Sequence, residues 1–340
     1  VRRFAQISFG LVALVVVIVV VLMIFRLPVV ESLTLLMQGA FGGKFGFSRT
    51  LAITGPILLT GLAVVVAWRA GLYNIGGEGQ MLVGGMFAAA VYAFVPITPG
   101  FYLQISMVCA AIIGGALYAG LASWLWVRRG VPLVISTILL NFIALHLLGW
   151  AVTGPLQEPN HQLPQTASLP DSVMFFRPDR QTDFHFGILL SLIACIAISV
   201  WLFRTYEGFR VRVIGSSVGV ARASGWNVAR SQHIAMLISG GLCGLAASLN
   251  YQGITGTVDA GFSQNWGFLG IPVALVGMLN PLGTAASALV FGALFAGSDQ
   301  LSRFTPSGSA IVYVVQGVAV ILFVVARSLS ERRQVIGGIE

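Results

Sequence analysis

Eight long stretches of this chain carry no charged residue: 7–25, 50–68, 79–127, 130–157, 184–203, 231–258, 260–298 and 304–326. A helix needs about 20 apolar residues to cross the hydrocarbon core of a bilayer, and in lipid every backbone polar group must be satisfied within the protein. Runs of this length and number point to an all-α integral membrane protein. Two runs are too long for one span. The first divides near Pro96 and Pro99, the second at Asn280-Pro281-Leu282-Gly283, where Pro-Gly and Asn-Pro chemistry favours turns. With both divided, the pattern predicts about ten transmembrane helices in a single domain over 1–340.

Composition supports this. Only 9% of residues are charged, against roughly 25% in soluble domains, so a solvated surface cannot be built. The 41 glycines suit helices that approach closely in lipid. The net charge of +8 would suggest nucleic acid on a soluble protein. Here the basic residues, all arginine except Lys44, sit in short segments between apolar runs, with no aromatic-interleaved basic patch of the kind nucleic-acid binding needs.

An even number of spans puts both termini on one side. With the termini in the cytoplasm, Arg2, Arg3, Arg69, Arg128, Arg129, Arg204, Arg210, Arg212, Arg222, Arg230, Arg327, Arg332 and Arg333 lie inside; Arg26, Lys44, Arg49, Arg177, Arg180 and Arg303 lie outside. The bias follows the positive-inside rule. Residues 153–183 then form an outer loop with five prolines, and 204–230 the longest inner loop, with five arginines and one acid, Glu207. The run at 7–25 is read as a retained helix, since Phe25-Arg26 offers no small-residue cleavage pattern. Cys109, Cys195 and Cys243 lie in apolar runs without metal-type spacing and read as buried small hydrophobes.

Several chemistries are missing. No G-x-x-x-x-G-K-[ST] phosphate loop occurs, nor H-E-x-x-H, G-x-S-x-G or a carboxylate pair within one span. The chain therefore offers no catalytic site, metal site or cofactor site, and is not expected to be an enzyme. Ion-coupled transport draws on buried acids or histidines, and only Glu78 and His146 qualify. The segment Gly71-Leu72-Tyr73-Asn74-Ile75-Gly76-Gly77-Glu78-Gly79-Gln80 stands out between two apolar runs. Its glycines interrupt helical regularity, and Asn74, Glu78 and Gln80 follow closely. Irregular backbone at membrane depth survives where protein or a wet cavity satisfies it, and interrupted helices line many translocation routes. The competing reading is a cytoplasmic turn with Glu78 paired to Arg69.

This segment closely resembles the G-L-[FY]-N-I-G-x-E-G-Q signature of permeases in bacterial nucleoside and simple-sugar ABC importers, a group that also holds ribose and branched-chain amino-acid permeases. Glu207-Gly208-Phe209-Arg210-Val211-Arg212-Val213-Ile214-Gly215, followed by Ala221-Arg222-Ala223-Ser224-Gly225-Trp226, resembles the family's cytoplasmic loop. Gly267-Phe268-Leu269-Gly270-Ile271-Pro272-Val273-Ala274-Leu275-Val276-Gly277 with Asn280-Pro281-Leu282-Gly283 resembles a third motif. Pro272 departs from the family's usual Ala, and Met278-Leu279 from its usual polar residues.

The resemblance implies a channel-forming subunit in the bacterial inner membrane that imports nucleosides, with simple sugars as the alternative. It implies no ATPase of its own, and as partners a second permease, a cytoplasmic ATP-binding subunit and an extracytoplasmic substrate-binding protein. The inner loop would dock the ATPase through Glu207, Arg210, Arg212, Arg222 and Gly225. Asn74, Glu78, Gln80, Trp266 and Phe268 are the candidates beside the translocation route. A stand-alone transporter or channel is the rival reading, and the sparse intramembrane charges disfavour it. The Gly-rich breaks near Gly76-Gly77 and Gly267 also suggest a two-fold internal repeat. Gly240 and Gly244 fit G-x-x-x-G helix packing.

Overall fold

The computed structural model describes residues 16, 18–95, 100–304, 314 and 317. The expected turn at Pro96 and Pro99 and nearly all of the 304–326 run lie outside the described residues, as does most of the 7–25 run. Among the described residues the fold is helical, with one isolated antiparallel bridge between Gln165 and Asp259. In chain order the helices are α1 (Val29–Phe41), α2 (Gly43–Arg69), α3 (Gly77–Phe94), α4 (Phe101–Arg129), α5 (Leu133–Val152), α6 (Gly187–Arg204), α7 (Tyr206–Ser216), α8 (Val218–Ala223), α9 (Val228–Asn250), α10 (Trp266–Val276) and α11 (Pro281–Phe304). A π-helical segment, Tyr251–Thr255, prolongs α9.

Six of these are long and apolar enough to cross a membrane: α2, α4, α5, α6, α9 with its π-helical extension, and α11. The multi-span helical class is therefore as expected. The division of the long 260–298 run also falls where Asn280-Pro281 placed it, but its first half is short. Helix α10 has 11 residues, about 16 Å at 1.5 Å per residue, half the thickness of the core. Between α10 and α11, Met278 and Leu279 adopt left-handed backbone, with φ of 56° and 51°. Asn280 then caps α11, its Oδ1 accepting from the amides of Leu282 and Gly283, with Pro281 at the first helical position.

Burial separates central from peripheral helices. An 18-residue window of α2 is 94% buried, against 28% in α6. On α6, Ile193, Ile196 and Val200 are exposed, the pattern of a helix whose outer face meets lipid. On α4 the exposed stripe takes in Ile105, Cys109, Ile113, Leu117 and Leu121. Cys109 is thus exposed, not buried as expected, because it falls on the outward face. Cys195 and Cys243 are buried. The opposite face of α4 meets α9 at Gly115, Gly240 and Gly244, where a Cβ would overlap backbone of the facing helix. The expected G-x-x-x-G contact is present, and it excludes side chains altogether.

The chain divides into two compact units, 1–50 with 290–340, and 51–289. In the first, Ile18, Val21, Leu22 and Leu301 form an apolar cluster. Gly39 lies too close to Ala296 and Gly297 for any side chain, and Arg49 pairs with Asp299 at 2.9 Å. The second unit holds the sites described below.

Candidate functional site

Helix α2 ends because Gly71 turns left-handed, with φ of 75°. The Leu72 amide bonds the Ala67 carbonyl and the Gly71 amide that of Trp68, a Schellman closure. The chain then runs without helical bonds to Gly76, and side chains satisfy it. Asn74 Oδ1 accepts from the Gly76 amide at 2.8 Å. Asn74 and Gln80 pair reciprocally through their amides, both bonds at 3.1 Å. Asn74 Nδ2 also donates to Ser239, which donates to the Ala63 carbonyl. Asn141, from α5, accepts from the Gly79 amide at 2.8 Å and donates to the Ile75 carbonyl at 2.9 Å. Asn74, Glu78, Gln80, Ser239 and Asn141 are all buried. Every polar atom of the break that these bonds reach would otherwise be unsatisfied in a dry interior.

A second interruption lies at 256–265. Gly256, Gln264 and Asn265 have positive φ, and α10 starts at Trp266. The two interruptions meet. Glu78 accepts from the Ser263 hydroxyl and, at 3.0 Å, from the Gly267 amide. Gly77 lies against the Gly267 carbonyl, and a Cβ on Gly267 would overlap Glu78 backbone. The carboxylate sits at the positive end of α10, where a negative charge is stabilised. The alternative pairing of Glu78 with Arg69 is not what the fold adopts. Arg69 Nε donates to the Leu279 carbonyl at 2.9 Å, bracing the left-handed turn before α11, while Glu78 is held by α10.

Of the five residues picked from the sequence, Asn74 and Gln80 thus share one buried set of bonds, and Glu78, also buried, bonds separately to Ser263 and Gly267. Trp266 is fully buried beside Gly267, and Phe268 is 39% exposed. Asn141, Ser239 and Ser263, which complete these bonds, are not among the five candidates. A lone Asn in the middle of the apolar 130–157 run was the available signal, because an amide in hydrocarbon needs a partner.

The loop between α6 and α9 folds as two short helices on capping residues. Thr205, Ser217 and Asn227 each accept from a first-turn amide of the helix that follows. Ile214, Ala221 and Val228 form its small core, with Trp226 packed on it. Arg210 pairs with Glu207 at 2.9 Å and lies 5.7 Å from the ring centres of Tyr206 and Trp226. Arg212 lies over Phe203 and Phe209. These two arginines are engaged by aromatic rings of the loop and, at Phe203, of the end of α6. The tip is different: Val218, Gly219, Val220, Arg222, Ala223 and Gly225 are all exposed, and Gly225 closes α8 with φ of 74°. Just before this tip, the C-terminal end of α7 bears directly on the first interruption. Gly215 is packed so closely on Arg69 and Gly71 that no side chain fits between them, and Gln232 donates to the Ala70 carbonyl at 3.1 Å.

The long connection between α5 and α6 is strapped over the π-helical end of α9. The amides of Thr166, Leu169 and Phe175 bond the carbonyls of Val258, Gly256 and Gln252. Arg177 donates to the Gly253 carbonyl at 2.8 Å. The buried Gln252 donates to the carbonyls of Gln104 and Val173. His185 is buried and stacked on Phe175. At its start, Gln165 and the Leu163 amide hold the Glu158 carboxyl below the usual carboxylate range.

These features define a class: a multi-span helical membrane protein with two interrupted helices meeting in its interior and a folded polar loop resting on one of them. The chain belongs to the family described as the permease component of branched-chain amino acid transport systems, which matches residues 46–325. It is 31% identical to a guanosine ABC transporter permease of Bacillus subtilis over 89% of this chain and 87% of that one. It is 30% identical to a glucose ABC transporter permease of Haloferax volcanii, over 86% and 79%. To a nucleoside ABC transporter permease of Lactococcus lactis it is 27% identical, over 86% and 82%. The chain is a permease component without an ATPase motif of its own, as the missing phosphate loop anticipated.

Proposed function

We propose that this chain is one of two permeases forming the transmembrane route of an ATP-driven importer of nucleosides in a bacterial inner membrane. The observation that carries this reading is the α7–α8 loop. It is folded, capped and exposed at its tip, and the end of α7 beside that tip packs on the backbone of an interrupted helix, as a loop that receives force from an ATPase requires. Residues 204–230 face the cytoplasm in this reading, with both termini, and 153–183 face outward, where a substrate-binding protein docks. Asn74, Glu78, Gln80, Trp266 and Phe268 flank the route: the first four hold the interrupted helices in shape, and Phe268 is the exposed aromatic ring. The guanosine and nucleoside relatives favour nucleosides, and the glucose relative makes simple sugars the second choice. No ring of buried charges suggests transport driven by an ion gradient among the described residues.

Orientation tests this reading, since an ATPase can dock only from inside. With the three native cysteines replaced, Ser224→Cys and Ser168→Cys, both at exposed positions, are exposed to a membrane-impermeant maleimide. In intact spheroplasts Ser168→Cys is labelled and Ser224→Cys is not until the membrane is opened. Labelling of Ser224→Cys from outside contradicts the reading.

A further inference from the structure

Helix α10 begins without a cap of its own. Asn265, which precedes it, is left-handed at φ of 59° and its side chain caps nothing. Yet the helix start is buried, with Trp266 and Gly267 both inaccessible, and its free amides need acceptors. Glu78 supplies one from 189 residues away in sequence, at the first turn of α3. The same carboxylate takes the hydroxyl of Ser263 in the segment leading into α10. The first turn of one interrupted helix is thereby the cap of the other.

On its other side α3 is reached through a short series of close contacts. Gly215, at the end of α7, rests on the backbone of Arg69 and Gly71. Asn74 and Gln80 lock the extended stretch between them. Gly77 and Gly267 then touch backbone to backbone. Each step is a contact that admits no side chain or a bond between buried groups, so it has little slack.

We propose that Glu78 is the positioning residue through which displacement of α7 reaches α10, so that the two interrupted helices move as one body during transport. This rests on the permease reading above and adds to it the joint by which the loop acts. The carboxylate suits the task because it offers two strong acceptors and a negative charge to the positive end of a helix. Glutamine keeps an acceptor for Gly267 and loses the charge; alanine loses both.

The test uses the complete importer in liposomes, with nucleoside uptake and ATP hydrolysis measured together, and hydrogen exchange measured on the purified permease. Glu78→Ala is expected to lower nucleoside imported per ATP about tenfold while binding-protein-stimulated hydrolysis stays within about twofold of wild type. Exchange at 266–270 speeds up, with the middle of α9 unchanged. Glu78→Gln restores most of the transport ratio, and Ser263→Ala shows a smaller loss in the same direction. A wild-type ratio in Glu78→Ala overturns the proposal. So does loss of hydrolysis and uptake together with faster exchange throughout the chain, which marks a purely structural role. If the wild-type importer shows no ATP-linked uptake, the permease reading fails instead. Unchanged exchange at 266–270 in Glu78→Ala then still refutes the cap.

Discussion

Gly244→Val is expected to leave no folded protein extractable from the membrane, and Gly244→Ala to yield protein that melts well below wild type. Three helices meet at this residue. A Cβ there overlaps the Ala111 carbonyl on α4, and from the other side Gly84 of α3 approaches its Cα. The neighbouring Gly240 is as tightly held against Gly115. One extra methyl in a packed site costs about 1–3 kcal/mol; here the obstacle is backbone, which cannot rotate aside. The isopropyl group of valine adds two more carbons to the same overlap. Gly149→Ala is the control, since nothing lies within 4 Å of its Cβ position, and it should melt like wild type. Thermal melting and size-exclusion profiles in detergent decide this; a well-folded Gly244→Val would remove the close α4–α9 crossing from the account.

Disrupting the α7–α8 loop is expected to weaken capture of the ATP-binding subunit, and transport with it, by two separable routes. Arg222→Glu changes the exposed tip and nothing in the loop's core. It should reduce capture of the ATP-binding subunit about tenfold, the effect of about 1.4 kcal/mol, with the permease itself melting normally. Arg210→Ala with Arg212→Ala acts from within. The pair removes the cations lying over Tyr206, Trp226, Phe203 and Phe209, each contact worth about 0.5–1 kcal/mol or more, so the loop loosens and capture falls with it. Gly225→Pro belongs to this second class, because proline fixes φ near −65° where the backbone stands at 74°. Limited proteolysis of the loop separates the routes: resistant in Arg222→Glu, cleaved in the other two. Undiminished capture in all three would take the loop out of ATPase docking.

Much of this was legible in the sequence because lipid imposes simple rules. Uncharged runs marked the six described helices long enough to span, and Asn280-Pro281 marked the division of the 260–298 run. Gly71 and the polar Asn74, Glu78 and Gln80 marked the first interruption. What stayed hidden was pairing across the fold. For Glu78 the sequence left two readings open, a place beside the route and a local ion pair with Arg69, nine residues away. Its real acceptor role is to Gly267 and Ser263, which no spacing rule connects to it. Arg210 and Arg212 read as candidate contacts for the ATPase; that the aromatic residues at 203, 206, 209 and 226 gather around them is not visible in the sequence as a cluster. Cys109 was placed inside by residue type alone, whereas the four-residue period of the exposed stripe on α4 decides its side.

A chain that works as the permease of an ATP-driven nucleoside importer must admit nucleosides at the expense of ATP. Liposomes holding this chain, the second permease proposed for it and the ATP-binding subunit, with the binding protein outside and ATP sealed within, test this in a single measurement of labelled guanosine uptake. The account predicts accumulation that requires trapped ATP and the binding protein, is competed by unlabelled nucleosides and not by glucose, and is unaffected by collapsing ion gradients. Uptake that persists without ATP and stops when the gradients collapse would contradict it.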